Sequence, residues 1–293
     1  MSQLMLPDRR LILPTPENIL ELRQPVNWME HMALDDESRI ERKAAIARAL
    51  GVPAVLFLKE DVDTRIAEMA TVLHASGITS DDLFVGVELG GLPFFNQLLE
   101  DVSTLMPYVH PMSDTIEVSR YQRGQSGSKK PGVSRHLKKT TEVAGKRIHF
   151  IDELIDEGGT INYLVAQFMK IGGYRKQGRA QEVTATFLAE KGIADFAEIQ
   201  DLASVLIGFT IANVWASGKG MDGENNAFRH NPHILVSPAQ DIKYLAQMAE
   251  TLEILGPRTE AKMDTIVWLE DERKMKPSTV KQRMREEGIA RAA

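Results

Sequence analysis

The segment that decides the fold is GKRIHFIDELIDEGGT, which spans residues 145–160. Its apolar run at 147–151 predicts a β-strand, and its glycines with Thr160 predict a turn that opens a helix. The acids between them are Asp152, Glu153, Asp156 and Glu157. In an open α/β sheet, ligands bind where a strand ends and the next helix begins, so we expect a ligand site in this segment.

The chemistry of this turn suits a phosphorylated sugar. The backbone N–H groups of Gly158 and Gly159 can converge on a phosphate at the helix N-terminus, and Thr160 can donate its hydroxyl. Carboxylates beside a phosphate would repel it unless a divalent cation or sugar hydroxyls lie between them, which indicates bound magnesium and a vicinal diol. The segment lacks the Gly-Lys-Ser/Thr of a Walker A loop. An acidic helix start with an ordinary glycine turn is the alternative interpretation.

Short apolar runs alternate with helical patterns through most of the chain, which is typical of βαβ units and a mostly parallel sheet. The predicted strands span 83–89, 115–121, 147–151, 182–189, 205–211 and 233–236. The predicted helices span 16–24, 35–50, 59–76, 93–105, 160–171 and 239–255, and a charged helical tail follows at 260–293. Residues 122–135 are rich in glycine, serine and lysine without periodicity, so we expect a mobile loop there.

The composition excludes several classes of protein. The 293 residues include no cysteine, so the sequence has no thiolate zinc site, iron–sulfur cluster or thiol nucleophile. With 35 Lys and Arg against 41 Asp and Glu, the net charge of -6 disfavours broad binding to a nucleic-acid backbone. No segment predicts a signal peptide or a membrane span. We therefore expect a cytoplasmic protein that binds neither membranes nor nucleic acids.

Five segments, in the expected order, resemble the type I phosphoribosyltransferases and, within them, the hypoxanthine-guanine branch. IDELIDEGGT resembles the family's phosphoribosyl pyrophosphate motif, and FVGVELGGLPFFNQLLEDV resembles its pyrophosphate loop and the following helix. IEVSRYQRGQSGSKKPGV resembles its flexible closing loop, and TFLAEKG resembles the strand that ends in a purine-reading lysine. IGFTIANVWASGKGMDGENNAFRHNPHI resembles its hood segment. The resemblance covers residues 57–240.

The resemblance implies an activity and a fold. The activity is magnesium-dependent transfer of 5-phosphoribose from phosphoribosyl pyrophosphate to N9 of hypoxanthine or guanine, which gives IMP or GMP and pyrophosphate in purine salvage. The fold is α/β, the type I phosphoribosyltransferase fold, in which helices flank a mostly parallel sheet that carries a small hood. The transferase domain would span 57–240, with helical extensions at 1–56 and 241–293. Similar proteins are dimers or tetramers, so a homo-oligomer is expected.

The resemblance also implies a role for individual residues. Asp156 resembles the general base that takes or shares the purine N7 proton. Lys191 resembles the lysine that donates to the purine 6-oxo group, which selects oxopurines over adenine. Trp215 stands where relatives stack a Phe or Tyr on the base. The other substrate-binding positions are Asp152, Glu153, Glu157, Gly158, Gly159, Thr160, Leu89, Gly90, Gly91, Ser119, Tyr121, Ala216 and Arg229. The magnesium-binding positions are Asp222, Asp152 and Glu153.

The chain departs from the family pattern in three places. Leu89 stands where the pyrophosphate loop usually carries a lysine. The interval from Asp222 to Arg229 is one residue longer than usual, which changes the register of the arginine that the resemblance assigns to pyrophosphate. The closing loop has an arginine where many members have a serine. Its basic residues would form a cationic lid over pyrophosphate, or else a solvated basic loop. They are Arg120, Arg123, Lys129 and Lys130.

Two alternatives to the salvage of hypoxanthine or guanine stay open at this point. The chain could be a regulator that senses phosphoribosyl pyrophosphate on the same fold without catalysis. Its basic surface would be Lys274, Lys276, Lys281, Arg283 and Arg285. It could also be a phosphoribosyltransferase for another base, such as xanthine, because the contact to a 2-oxo group is not fixed by the sequence.

Overall fold

The computed structural model describes residues 5–6, 9–10, 16–119, 132–194, 196, 199, 201–222 and 228–237. Its α-helices are α1 (Pro16–Leu22), α2 (Trp28–Ala33), α3 (Glu37–Leu50), α4 (Lys59–Ala75), α5 (Leu92–Leu105) and α6 (Gly159–Met169), and a 3-10 helix spans Tyr174–Lys176. Its strands are β1 (Met5–Leu6), β2 (Arg9–Arg10), β3 (Val26–Asn27), β4 (Ala54–Phe57), β5 (Leu83–Glu88), β6 (Met112–Ser119), β7 (Gly132–Arg135), β8 (Arg147–Ile155), β9 (Glu182–Glu190), β10 (Ser204–Thr210), β11 (Ala216–Ser217) and β12 (Ile234–Val236). Among these residues, no helix is both long and apolar enough to cross a bilayer.

The chain divides into two compact units. The first comprises the residues up to Pro25 together with Asp63–Thr210, and the second comprises Val26–Val62 and the residues from Ile211 onward. In the first unit, neighbouring strands follow the order β10-β9-β8-β5-β6-β7. All of these pairs are parallel except β6 with β7, which is antiparallel. The expected mostly parallel sheet is therefore confirmed.

The core of the first unit lies where α6 packs on the sheet. Strand β9 is buried along almost its whole length, as expected for a strand of a parallel sheet covered on both faces. Phe150 on β8 meets Phe168 on α6 edge to face, with ring centroids 5.0 Å apart. Phe168 also stacks on Tyr174 at 4.4 Å. These aromatic contacts fix α6 against β8, and with it the turn that joins them.

The order of the strands creates a topological switch point. The chain proceeds from β5 outward to β6, then returns to the other side of β5 to form β8. Strands β5 and β8 are parallel neighbours, with Leu83 paired to Ile148 and Gly86 paired to Ile151. Their carboxyl ends therefore lie side by side, which is where open α/β sheets bind ligands.

The second unit is built from distant parts of the chain. Its antiparallel sheet has the order β11-β12-β4. Helix α3 covers it and begins at Asp36, whose side chain accepts a hydrogen bond of 2.8 Å from the Arg39 N–H. The helix ends at Gly51, whose φ of 65° is readily adopted only by glycine. The apolar cluster between helix and sheet contains Ala47, Val52, Val55, Leu58 and Leu235.

A polar network is buried beside this cluster. Lys43 Nζ lies 2.6 Å from Asp35 Oδ2 and 2.9 Å from the Leu56 carbonyl oxygen. Burial lowers the pKa of Lys43, while Asp35 opposes that shift. Arg39 bridges Asp35 and Asp61 with hydrogen bonds of 2.7 to 2.8 Å. Although burial acts in the opposite direction, His31 Nε2 at 3.3 Å and hydrogen bonds from Arg39 lower the pKa of Asp61 to about 2.

Most predicted elements are present with their ends moved by a few residues, and four features differ. Strand β8 continues through Asp152 and Glu153 to Ile155 instead of ending at residue 151. The last residues of the predicted mobile loop form β7, and helix α2 precedes the predicted second helix. The sheet of the second unit includes β4, a strand that the sequence did not predict. The predicted helices at 239–255 and 260–293 lie outside the described residues.

Candidate active site

The turn between β8 and α6 has the geometry of a phosphate cradle. Gly158 is the N-cap of α6 in the left-handed region, with φ of 79°, and no side chain caps the helix there. The first N–H groups of α6 are thus not satisfied by a capping side chain and can bind an anion. Within this turn, Glu157 is exposed, whereas Gly159 and Thr160 are half-buried in the first turn of the helix.

The acidic pair of β8 faces the glycines that follow β5. A Cβ atom on Gly91 would come within 3.1 Å of Asp152 Oδ1 and 3.2 Å of the Ile151 carbonyl oxygen, and one on Gly90 would overlap the Glu153 carboxylate. Only glycine fits at either position without moving its neighbours. The peptide bond between Glu88 and Leu89 is cis, and the Leu89 side chain is exposed. The structure thus brings the predicted pyrophosphate loop against the predicted ribose-binding acids.

The carboxylate oxygens of Asp152 and Glu153 are suited to magnesium. Glu153 Oε2 is buried and receives no hydrogen bond from the described residues, so it is an acceptor without a donor. Magnesium prefers carboxylate and other oxygen ligands and keeps several waters, so it usually takes only one or two protein carboxylates. No group of three or more His, Asp or Glu side chains is placed to hold a metal within the described part of the chain. Asp152 and Glu153 therefore fit a cation that is bound jointly with a phosphorylated substrate.

Asp156 and Lys191 form an ion pair at the ends of adjacent parallel strands. Ile155 on β8 is in register with Glu190 on β9, so the next residue of each strand lies at the same edge. Lys191 Nζ lies 3.2 Å from Asp156 Oδ2, and the lysine side chain is 6% exposed against 39% for the aspartate. A buried cationic donor and a more accessible acceptor are thus held side by side, facing the same edge of the sheet.

In the second unit, both the backbone carbonyl and the side-chain carboxylate of Asp222 are contacted by other residues. The Trp215 indole N–H donates to the Asp222 carbonyl oxygen at 2.8 Å. Arg229 Nη2 lies 2.7 Å from Asp222 Oδ2, and Arg229 Nη1 donates to the Gly220 carbonyl oxygen at 2.9 Å. Despite the longer interval in the sequence, Arg229 therefore reaches Asp222. The predicted contact residue Ala216 begins β11 and is buried.

The predicted closing loop is only partly described. Ser119 ends β6, while Tyr121 and the four basic residues of the predicted lid lie outside the described residues. The strand that follows carries a residue that the sequence pattern did not single out. Arg135 on β7 contacts the Glu88 carboxylate and donates to Thr115 Oγ1 at 2.6 Å. It links the base of the closing loop to the residue that precedes Leu89, and only its position in a basic stretch could have drawn attention to it.

His149 and His233 are each held by a hydrogen bond. His149 Nδ1 lies 2.7 Å from Thr184 Oγ1, and its ring stacks on Phe84. Burial acts against ionisation of Asp82, but His149 Nε2 at 3.8 Å and two hydrogen bonds from the Arg147 guanidinium hold the pKa of Asp82 well below its usual range. His233 Nδ1 accepts a hydrogen bond of 2.8 Å from the Lys59 backbone N–H, and burial lowers the pKa of His233.

Comparisons with known proteins identify the family of the chain. Residues 58–213 match the family model of the phosphoribosyl transferase domain. The hypoxanthine-guanine phosphoribosyltransferase of Streptococcus agalactiae is 27% identical over 183 residues, which cover 62% of this chain and 92% of the relative. The Bacillus subtilis protein of the same name is 27% identical over 189 residues, which cover 64% and 95%.

Solved structures show the same fold. A hypoxanthine phosphoribosyltransferase from Staphylococcus aureus superposes with a TM-score of 0.51 at 17% identity, covering 70% of this chain and 97% of that structure. A hypoxanthine-guanine phosphoribosyltransferase from Bacillus anthracis also gives 0.51, at 18% identity and with coverage of 64% and 99%. The family match, the curated relatives and the shared fold confirm the resemblance found in the sequence, and the chain belongs to the phosphoribosyl transferase domain family.

Proposed function

We propose that this protein transfers 5-phosphoribose from phosphoribosyl pyrophosphate to N9 of hypoxanthine or guanine, releasing pyrophosphate. The observation that carries the proposal is the 3.2 Å pair of Lys191 and Asp156. An oxopurine presents an acceptor, O6, beside a nitrogen, N7, that carries a proton in one tautomer. Lys191 donates to O6, and Asp156 accepts from N7–H. Adenine presents an amino donor in place of O6 and would leave the lysine facing another donor.

The role of Asp156 follows from its position and charge. As N9 forms its bond to the ribose carbon, positive charge develops on the purine ring and the N7 proton becomes more acidic. The Asp156 carboxylate holds or takes that proton, and hydrogen-bond reach is sufficient for this. Lys191 pairs with the same carboxylate at 3.2 Å, so both side chains are held at the edge of the sheet where the base would bind.

The ribose phosphate is assigned to the turn before α6. Its 5′-phosphate would bind the N–H groups from Gly158 to Thr160, where the helix N-terminus favours negative charge. The Asp152 and Glu153 carboxylates would accept from the ribose hydroxyls and hold a hydrated magnesium ion. When bound, magnesium supplies charge neutralisation to the departing pyrophosphate. Gly90 and Gly91 allow the backbone to approach that group closely.

The residues of the second unit keep the roles that the resemblance gives them. Trp215 would stack on the base, Arg229 would bind pyrophosphate, and Asp222 would orient its magnesium ion through water. Ser119 and Tyr121 would belong to the closing loop that excludes water from the reacting sugar. We retain the division into a transferase domain at 57–240 with extensions at 1–56 and 241–293, a cytoplasmic location and a homo-oligomer of two or four chains as parts of the proposal.

One assay panel tests the proposed function. The purified protein is given magnesium, phosphoribosyl pyrophosphate and, separately, hypoxanthine, guanine, xanthine, adenine or uracil, and the nucleotide product is quantified. We expect product from hypoxanthine or guanine and little from adenine. Product from xanthine or uracil alone would assign a different base. Failure with every base, together with calorimetric binding of phosphoribosyl pyrophosphate, would overturn the proposal in favour of a sensor.

The variant Asp156→Asn tests the catalytic assignment. It keeps the shape of the side chain but removes the charge, so we expect kcat to fall about 100-fold or more, the usual range for losing a general base. Asp201→Asn is the matched control, because Asp201 is an exposed acid of the same unit that pairs with Arg179 at 3.5 Å. Circular dichroism checks that both variants are folded. Equal turnover by the two variants would refute the role of Asp156.

A further inference from the structure

A tight backbone arrangement surrounds Asp222 in the second unit. Gly218 and Met221 exchange two backbone hydrogen bonds of 2.9 and 3.1 Å, which closes a turn directly before Asp222. The turn is joined to the segment that carries Arg229 by bonds from Lys219 N–H to the Asn231 carbonyl (2.6 Å) and from Gly220 N–H to the Arg229 carbonyl (2.8 Å). The backbone around Asp222 is therefore fixed on the side of the turn.

Trp215 fixes the other side. Its own carbonyl accepts from the Ser237 N–H at 2.7 Å, which anchors the residue beside β12. Its indole N–H donates to the Asp222 carbonyl at 2.8 Å, while the side chain remains 37% exposed. One edge of the indole is thus engaged with the protein, and part of its surface stays accessible to a ligand.

The charged end of Asp222 completes a chain of contacts. The Asp222 carboxylate holds Arg229 at 2.7 Å, and Arg229 also donates to the Gly220 carbonyl. The Trp215 indole N–H therefore contacts the Asp222 backbone, and the Asp222 carboxylate in turn contacts the Arg229 guanidinium. We refer to Trp215, Asp222 and Arg229 as the clamp. A Phe at position 215 would offer a stacking face but no N–H, and so could not make the first of these contacts.

We propose that Trp215 is a positioning residue for the pyrophosphate-binding residues as well as a stacking surface for the base: its indole N–H places the Asp222 carboxylate and, through it, Arg229. This inference rests on the proposed function. It predicts that the strength of pyrophosphate binding depends on a side chain that the pyrophosphate itself does not touch. It also predicts that removing the indole N–H affects the two substrates unequally.

The substitution Trp215→Phe tests the inference in steady-state kinetics, since it keeps an aromatic face and removes the N–H. We expect KM for phosphoribosyl pyrophosphate to rise about three- to tenfold, the effect of one hydrogen bond, with KM for the oxopurine changed less than twofold. Inhibition by magnesium pyrophosphate should weaken by the same factor. A larger rise for the base than for phosphoribosyl pyrophosphate, or no change in either, would overturn the inference and leave Trp215 with stacking alone.

Trp28→Phe is the matched control. Trp28 is the other described tryptophan, is buried in the same unit, and begins α2. A general loosening of the second unit would raise KM for phosphoribosyl pyrophosphate in both variants. The inference requires the rise in Trp215→Phe alone, so an equal rise in both would overturn it.

A spectroscopic measurement keeps the test independent of turnover. The chain has three tryptophans, so ¹⁵N-labelled protein gives three indole N–H signals, and the one missing in Trp215→Phe belongs to Trp215. We expect this N–H to exchange with solvent more slowly than an unbonded indole and to shift when magnesium pyrophosphate is added. Free exchange and no shift would overturn the inference even if the enzyme is active. If the wild-type protein binds magnesium pyrophosphate without turnover, the proposed function fails while the clamp can still be tested by titration.

Discussion

Replacing Lys43 with methionine tests whether the N-terminal helices are integral to the second unit. The substitution keeps most of the apolar stem and removes the ammonium group. The side chains of Lys43 and Asp35 are 6% and 2% exposed, so the Asp35 carboxylate would remain buried. The same ammonium donates to the Leu56 carbonyl on β4 at 2.9 Å, so the change also removes a contact between α3 and the sheet.

The size of the effect can be worked out from these contacts. Removing one partner of a buried ion pair costs about 3–5 kcal/mol, because the remaining charge is left uncompensated. Arg39 Nε still donates to Asp35 Oδ1 at 2.8 Å and partly neutralises it. We therefore expect the loss to lie at the low end of this range. The free energy of unfolding should decrease by about 3 kcal/mol, which corresponds to a fall in Tm of roughly 6–12 °C for a domain of this size.

Urea unfolding followed by circular dichroism, and by the fluorescence of the buried Trp28, measures the loss. Arg42→Met is the control, because Arg42 pairs with Glu60 on the surface, where both side chains are well exposed, and should lose less than about 1 kcal/mol. The double variant Asp35→Asn with Lys43→Met should recover part of the lost stability. An equal, small loss in the two single variants would refute the reasoning and make α3 an appendage.

Two further predictions concern charged residues. Asp61 has a pKa of about 2 in the folded protein, against 3.8 for an unperturbed aspartate, so its charge stabilises the fold fully above pH 4. About 2 kcal/mol of the free energy of unfolding is lost as the pH falls from 4 to 2. Asp61→Asn should remove this part of the acid dependence in urea titrations. Arg135→Met leaves the Glu88 carboxylate beside the glycine loop without its arginine. KM for phosphoribosyl pyrophosphate should then rise about three- to tenfold, the effect of one ordinary hydrogen bond, because the Arg135 side chain is 58% exposed and water screens its charge. The surface variant Arg179→Met should leave this KM unchanged.

The elements of the first unit could be predicted well because each follows from a short, continuous stretch of sequence. Strands β5, β9 and β10 are mostly apolar stretches, and Gly158 with the acids around it marks the turn before α6. The end of β8 was placed too early because Asp152 and Glu153 are charged. The strand continues because its ladder with β9 runs on to Ile155 and Glu190. Polarity indicated the residues proposed to bind substrate, but pairing with the neighbouring strand decided where the strand ends.

The second unit was harder to predict because the strands that pair in it lie far apart in the sequence. Strand β4 has only four residues, too few to show a period, and its partner β12 lies near the other end of the described chain. Arg229 could be recognised by type but not by register, because its interval from Asp222 is one residue longer than in the family pattern. Arg135 could not be distinguished from other basic residues of its loop, because its partner Glu88 becomes its neighbour only through the pairing of β5, β6 and β7.

The pairing of β4 with β12 has a consequence for the order in which the chain folds. His233 bonds to a backbone group 174 positions earlier, and Ile234 pairs with Phe57. Closing so long a loop is entropically costly, and contacts of this range form late. During synthesis, every strand of the first unit up to Thr210 leaves the ribosome before β12 does. We therefore expect a nascent chain that can already form the proposed phosphate-binding turn, while Trp215, Asp222 and Arg229 await the formation of β12.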